Sequence, residues 1–121
     1  MNTEPFLDVT ALEKLMQIGG KEFAGHMIDL FLIYIPQKLA EARTAEKDGD
    51  LMQVRKAVHP IKSSAWNIGA HQMRVLAARI EECAADNRRE PITTLLTELE
   101  AAYEQVKVHL QEYRKKLAPC D

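Results

Sequence analysis

Apolar residues recur every three or four positions along most of the chain, and short polar or glycine-containing stretches separate one run from the next. This spacing is typical of helices that bury one face. The 5 glycines and 5 prolines are too few for a chain rich in turns. The pattern predicts an all-α fold, an antiparallel four-helix bundle with a short N-terminal capping helix, in which residues 1–121 form a single domain.

The short first helix has a start and a stop signal. Thr10, followed three positions later by Glu13, forms a capping box that predicts its beginning. The Gly19–Gly20 pair predicts its end, and a second helix follows almost at once.

The second helix is the most apolar segment of the chain. Its predicted buried stripe consists of Phe23, Met27, Leu30, Phe31 and Tyr34. Pro36 is expected to kink it. Ile33 and Ile35 lie off this stripe, so they either pack on another element or form an exposed docking patch.

Three further helices carry apolar stripes from end to end. Asp50 is a good N-cap for the third helix, whose stripe ends before Gly69 and consists of Leu51, Val54, Val58, Ile61, Ala65 and Ile68. The fourth helix turns Met73, Leu76, Ile80 and Cys83 inward. The last helix begins at Pro91, and about seven turns carry Ile92, Leu95, Leu96, Leu99, Tyr103, Val106, Leu110, Tyr113 and Leu117.

Composition and charge exclude several classes of protein. The chain has 121 residues, of which 46% are hydrophobic and 28% charged, so it has room for one ordinary soluble domain. A net charge of −2 argues against nucleic acid or an anionic membrane as the main partner. The sequence shows neither a signal peptide nor an apolar run long enough to cross a bilayer, so we expect a cytoplasmic protein.

The cysteines and three of the histidines show no metal-binding pattern. Cys83 and Cys120 lie far apart without a CxxC motif, so we expect neither a disulfide nor a structural metal. His26, His71 and His109 lack the spacing of metal ligands and are expected to be ordinary surface or half-buried residues. The sequence has no Gly-rich phosphate loop, so ATP has no evident site, and we expect no cofactor.

The remaining histidine, His59, lies on the polar side of its helix. At about 100° per residue it sits roughly 120° from the centre of the apolar stripe, so its imidazole should face solvent. Arg55 and Lys62 flank it on the same strip, and Ser63 and Trp66 continue that strip. Neighbouring cations disfavour the protonated imidazole and offset the charge of an incoming phosphoryl group. The strip therefore points to a nucleophilic histidine, although an exposed histidine on a helix usually has no function.

Two residues of this strip leave alternatives open. Pro60 removes the hydrogen bond to the carbonyl of Lys56, at a cost of roughly 3 kcal/mol in an ordinary helix, so a kink is expected. That kink either tilts His59 outward or makes the site a poorer partner. Trp66 is a hydrophobic anchor for a partner, a cation–π partner of Lys62, or a core residue packed beside the second helix.

The residues after His59 resemble the motif of histidine-containing phosphotransfer (HPt) domains. That family has Lys at +3, small residues at +4 and +5, and Gly-Ala at +10 and +11, which here are Lys62, Ser63–Ser64 and Gly69–Ala70. Many members have Gly where this chain has Ser63, whose small side chain should still leave access. A Leu-x-x-Leu helix ending in Gly-Gly, a Phe-rich second helix, an acidic Gly-Asp turn and a later Leu-Ala-x-x-Ile-Glu run are also similar to the family.

The resemblance implies a phosphorelay intermediate. His59 would accept a phosphoryl group from an aspartate of one receiver domain and pass it to another, while Lys62 would steady the phosphoryl oxygens and Gly69–Ala70 would close the turn. Receivers would dock on the first three helices around the histidine. The residues offered there are Met52, Arg55, Lys56, Ser63 and Trp66, with Ile33 or Ile35.

The same resemblance implies which partners and cofactors take part. Response-regulator receiver domains and a hybrid histidine kinase would be the partners, and Mg²⁺ would belong to the receiver rather than to this chain. The protein would be a phosphoryl carrier without an ATP site of its own, and a monomer. Two alternatives remain: a helical adaptor that binds a receiver or kinase without chemistry, and a four-helix chaperone or scaffold outside signalling.

Overall fold

A computed structural model describes residues 7–117 as four helices. These helices are α1 (Val9–Lys47), α2 (Leu51–Ile68), α3 (His71–Ala85) and α4 (Glu90–Leu117). Successive helices pack against each other through short links, and α4 also packs against α1, which closes the bundle. The predicted all-helical bundle is confirmed. The predictions on Cys120 and on the first six residues lie outside the described residues.

The predicted capping helix is the first part of α1. Gly20, at φ 81° and ψ −172°, is the one position inside α1 with a non-helical backbone, so it redirects the chain between helical segments 9–19 and 21–47. The N-cap is Asp8, not Thr10 as predicted. The Asp8 carboxylate accepts a hydrogen bond from the Thr10 backbone N–H at 3.0 Å. Asp8 holds this place because its own N–H donates to the carbonyl of Gly69 at 2.8 Å.

Gly69 joins the end of α2 to the start of the chain. It ends α2 in the left-handed conformation, at φ 87°. A Cβ at this position would lie 2.5 Å from the backbone oxygen of Asp8, so the close approach of the two segments also requires glycine. The next residue, Ala70, is fully buried and leads into α3.

The buried face of α1 differs from the predicted stripe. The structure buries Ala24, Ile28, Phe31, Ile35, Leu39, Ala42 and Ala45. Phe31 is buried as predicted, and Phe23 and Met27 are partly buried against the core. Leu30 and Tyr34 are exposed, so the buried face is rotated by about one residue from the predicted stripe. Ile35 is fully buried and is no docking residue, whereas Ile33 is exposed. Residues 27–35 are apolar on nearly every side of the helix, so periodicity does not distinguish the buried face. The buried face is the one that carries the small residues Ala24, Ala42 and Ala45, which let neighbouring helices approach closely.

The stripes of the other three helices are confirmed. The core contains the predicted inward residues Val54, Val58, Ile61, Ala65, Ile68, Met73, Leu76, Ile80, Cys83, Ile92, Leu95, Leu96, Leu99, Tyr103, Val106, Leu110 and Leu117. Leu51 and Tyr113 are partly buried against it. Within residues 7–117, no helix combines the length and the hydropathy that a membrane crossing needs.

Both helix-internal prolines lie within continuous helices. Pro36 lacks an N–H and so leaves the carbonyl of Leu32 without its helical partner. The hydroxyl of Tyr103, on α4, donates to this carbonyl at 3.3 Å. Pro60 likewise leaves the carbonyl of Lys56 free, but α2 continues through it without a non-helical residue, so the expected kink does not interrupt the helix.

Removing the Tyr103 hydroxyl tests this compensation. Tyr103→Phe leaves a carbonyl near the core without a donor, so the free energy of unfolding should fall by about 1–2 kcal/mol in urea titrations. Tyr34→Phe, on the exposed side of α1, is the matched control and should change stability by less than about 0.5 kcal/mol.

The alkaline limb of the stability curve gives a second readout. Burial, helped by the charge of Glu104, raises the pKa of Tyr103 from 10.0 to about 12. The folded protein is stabilised relative to the unfolded chain by holding the phenolic proton of Tyr103. This stabilisation is complete below pH 10.0 and is lost as the pH rises toward 12. The wild-type protein should therefore lose more stability over this interval than Tyr103→Phe, and equal slopes for the two proteins would contradict the assignment.

Candidate functional site

His59 lies in the middle of α2 and points away from the core. Val58 and Ile61, on either side of it in sequence, are fully buried. They fix the rotation of the helix, and the His59 side chain is consequently 61% exposed, as the periodicity predicts. The cap at Asp50, which accepts from the backbone N–H of Gln53 at 3.2 Å, fixes the start of this helix.

A carboxylate from the neighbouring helix holds the histidine ring. The Nδ1 of His59 lies 2.6 Å from Oε2 of Glu81, on α3. The other carboxylate oxygen, Oε1, lies 2.7 Å from Nζ of Lys62. Glu81 is only 13% exposed, so it bridges the two residues from between the helices. This arrangement orients one nitrogen of the imidazole and leaves the other toward solvent.

The charge of Glu81 decides which nitrogen is free. Burial by itself raises the pKa of Glu81, but hydrogen bonds from Lys62 and His59 outweigh it, and the pKa is lowered below its ordinary value. The carboxylate therefore stays ionised near neutral pH and acts only as an acceptor. In the neutral ring, Nδ1 of His59 is then the protonated nitrogen, and Nε2 carries the lone pair.

Glu81 is not among the predicted site residues, and the surroundings predicted for the histidine were mainly positive. The charged group nearest to the ring is in fact a carboxylate, because α3 packs closely on α2. One signal was available: Ala77 and Ala84, four residues before and three after Glu81, place it on a strip of small residues, and both alanines are buried. A charged residue among small buried ones on a helix face is unusual and marks a polar contact with the adjacent helix.

The residues predicted to surround His59 divide between two grooves. Met52, Arg55 and Lys56 line a shallow groove of about 470 Å³ together with His59 and Glu81. A second groove of about 520 Å³, between α2 and α3, is lined by Lys62, Ser63, Trp66, Asn67, Arg74 and Ala78. Lys62 connects the two because its ammonium group reaches Glu81.

Trp66 is an exposed side chain with a cation on its ring. It is 58% exposed, so it is not the core residue that one alternative expected. The cation is Arg74, whose guanidinium carbon lies 5.1 Å from the ring centroid, and not Lys62. The ring of His71 lies 5.9 Å away on the same indole. His71 in turn has its Nε2 3.1 Å from the Asp8 carboxylate, so it helps to hold the start of α1.

An apolar groove beside α2 was not predicted, because the buried face of α1 was placed wrongly. Its volume is about 370 Å³ and its lining is Leu15, Met27, Leu30, Phe31, Ile33, Tyr34, Gln37, Ser64, Asn67 and Ile68. Ser64 and Asn67 belong to the helix that carries His59, so the groove lies between α1 and α2. Anywhere within residues 7–117, no three His, Cys, Asp or Glu side chains are grouped closely enough to hold a metal ion.

Comparison with known protein families shows which family the chain belongs to. The family model described as the Hpt domain matches residues 26–109, which is more than half of the chain and includes the histidine helix. The chain belongs to the Hpt domain family. This confirms the predicted resemblance and, with it, the class of function, a histidine phosphotransfer intermediate of a phosphorelay.

Individual relatives of this HPt domain come from distant organisms. Histidine-containing phosphotransfer protein 2 of Arabidopsis thaliana is 28% identical over 88% of the chain and 72% of its own length. Sensor protein TorS of Escherichia coli (strain K12) is 30% identical over 84% of the chain, which is only 11% of that protein. Phosphorelay intermediate protein rdeA of Dictyostelium discoideum is 26% identical over 80% of the chain and 38% of its own length.

A solved structure shares the architecture. Histidine-containing phosphotransfer protein B (HptB) from Pseudomonas aeruginosa PAO1 superposes with a TM-score of 0.89 over 93% of this chain and 96% of its own. Its sequence identity is 21%, so this likeness concerns the fold. The helical bundle described here is therefore one that an HPt protein adopts.

The tautomer of His59 is directly measurable. In mildly alkaline solution, nitrogen NMR of the wild-type ring should show a protonated Nδ1 and a bare Nε2, because Glu81 accepts from Nδ1. Glu81→Met keeps the helix and removes the acceptor, so the ring should shift toward the Nε2-protonated form. Glu82→Met, at the exposed neighbouring position, is the control and should leave the tautomer unchanged. A wild-type ring protonated mainly on Nε2 would refute the assignment.

Proposed function

We propose that Nε2 of His59 is the atom that carries the phosphoryl group in this HPt domain. The observation that supports the proposal is an imidazole open to solvent whose Nδ1 is bound by an ionised carboxylate. In its neutral form such a ring presents its lone pair on one defined nitrogen. The donor would be an aspartyl phosphate of a receiver domain, and the acceptor an aspartate of another receiver.

The transfer balances without any proton movement. The lone pair of Nε2 attacks phosphorus in line, the new N–P bond forms, and the P–O bond to the aspartate breaks, so that the aspartate leaves as a carboxylate. The ring keeps its Nδ1 proton and becomes a positively charged phosphoimidazole. Glu81 faces that charge at 2.6 Å and stabilises it, and the reverse steps deliver the group to the next receiver.

Lys62 is proposed to bind the phosphoryl oxygens. It lies one turn after His59 on the same face of α2, and its ammonium group is already held near the ring by Glu81. Positioned by that carboxylate, it offers a cation to the transferred group with little ordering cost. Mg²⁺ is expected at the receiver's own carboxylates, and no metal on this chain takes part in the proposal.

Receiver docking is proposed on the face formed by α1 and α2. The apolar groove that includes Leu30, Ile33 and Tyr34 would be covered by the receiver. Exposed Met52 adds apolar surface on the other side of the histidine. Arg55 and Lys56 add positive charge next to the ring. A receiver active site is built of carboxylates, so these charges favour its approach.

The remaining features of the proposal concern the protein as a whole. We propose that the chain obtains its phosphoryl group from partner proteins rather than from ATP, because the sequence offers no Gly-rich phosphate loop. It would act as a monomer, since α4 returns to α1 and closes one core within one chain. A cytoplasmic location and a hybrid histidine kinase as the first donor complete the proposal.

Replacing the acceptor tests the proposal. Wild-type protein incubated with a radiolabelled phosphoreceiver and Mg²⁺ should gain a label that acid removes and alkali spares, as expected for phosphohistidine. His59→Gln should gain none. His26→Gln changes an exposed histidine on α1 and should label normally. Glu81→Met should label about fivefold more slowly, as expected from the loss of one orienting hydrogen bond worth about 1 kcal/mol.

Two outcomes would contradict the proposal. Retained labelling of His59→Gln would place the acceptor elsewhere in the chain. Binding of receivers without labelling of the wild-type protein would favour the helical adaptor that the sequence left as an alternative.

A further inference from the structure

The groove between α2 and α3 begins one turn after His59 and carries positive charge that no carboxylate among its lining residues opposes. Its cations are Lys62 and Arg74, and its other lining residues are Ser63, Trp66, Asn67 and Ala78. The groove around His59 differs because Glu81 lies in its wall. An occupant of the α2–α3 groove should therefore bring negative charge.

Of these two cations, Arg74 forms no ion pair with a carboxylate within residues 7–117. Lys62 already pairs with Glu81 at 2.7 Å. The guanidinium of Arg74 instead lies over the indole of Trp66, at 5.1 Å, and its Nε is buried without a hydrogen-bond partner in the part of the chain that the structure describes. The side chain of Arg74 is only partly buried and lines the open groove, so its guanidinium charge is available to an acceptor outside the chain.

Trp66 is exposed and yet held in place. Arg74 and His71 contact its ring from α3, the latter at 5.9 Å between ring centroids. An aromatic side chain that is ordered before binding loses little conformational freedom when a partner covers it. Exposed tryptophans and arginines of this kind are the residues that most often dominate the binding energy of an interface.

We propose that the Trp66–Arg74 pair selects the receivers that exchange phosphoryl groups with His59. A carboxylate side chain on the receiver would accept from the guanidinium of Arg74, and apolar receiver atoms beside it would cover the indole. This inference rests on the proposed function, because the occupant is the same receiver whose aspartate meets His59. It extends the docking surface beyond α1 and α2 to α3.

Continuity with the phosphorylation site favours a receiver as the occupant. Trp66 lies two turns after His59 on α2, and Lys62 belongs both to the groove and to the bridge at the histidine. A protein that brings an aspartate to His59 must cover the next turns of the same helix. The groove is therefore within the area such a partner occupies.

The test separates docking from chemistry with two phosphoryl donors. A panel of purified receiver domains is charged with acetyl phosphate and Mg²⁺, and the receiver that discharges fastest to the wild-type protein is used to measure KM and kcat. Phosphoramidate, a small donor that needs no docking surface, labels His59 independently. Arg74→Met removes the charge while keeping a flexible stem, Trp66→Ala removes the ring, and Arg74→Lys keeps the charge.

The expected result is a selective loss of receiver affinity. Arg74→Met and Trp66→Ala should each raise KM for the receiver about tenfold at low salt, with the effect of Arg74→Met shrinking as salt is added. Arg74→Lys should retain most of the affinity. Arg79→Met, which alters an exposed arginine elsewhere on α3, is the matched control and should leave KM unchanged. The rank order of the receivers in the panel should also change in Arg74→Met.

The outcomes that overturn the inference differ from those that overturn the function. If phosphoramidate and receivers label His59 but KM is the same in wild-type protein, Arg74→Met and Trp66→Ala, the specificity role is wrong and the relay function stands. If KM rises equally in Arg79→Met, the effect is general electrostatics and the pair is not a selector. If neither donor labels the wild-type protein, the proposed function and this inference both fail.

Discussion

The site depends on one carboxylate that is partly buried between two helices. Glu81 reaches from α3 to two residues of α2. Its Oε2 contacts Nδ1 of His59, and its Oε1 pairs with the ammonium group of Lys62. A single ionised group thereby sets the orientation of the His59 ring and the position of the nearby Lys62 ammonium group. Its burial is tolerable only because both oxygens face a donor or a cation, which lowers its pKa in spite of desolvation.

The rest of the bundle keeps α2 and α3 in the register that this bridge requires. Gly69 allows a tight link between the two helices, and its carbonyl accepts from the backbone N–H of Asp8, the N-cap of α1. Tyr103 repairs the hydrogen bond that Pro36 removes from α1. The same helix buries one face in the core, and its opposite face, around Ile33, lines an open apolar groove.

The histidine helix divides its exposed side between two kinds of surface. Around His59, the Glu81 carboxylate offsets part of the positive charge of Arg55 and Lys56. Two turns later the surface is positive and aromatic, with Arg74 and Trp66 held together before any partner arrives. Lys62 lies between them, so the proposed sites of phosphoryl transfer and of receiver recognition are adjacent on α2.

The sequence by itself determined the helices, the exposure of His59 and the family, because helical periodicity and a motif within α2 are local along the chain. It could not determine which side of α1 is buried, since residues 27–35 are apolar on nearly every side and only packing distinguishes Ile35 from Leu30. Glu81 and Arg74 were likewise decided by the tertiary structure. Both come from α3. The small residues around Glu81 indicate that it faces another helix, but which residues it and Arg74 contact depends on the relative rotation and distance of α2 and α3.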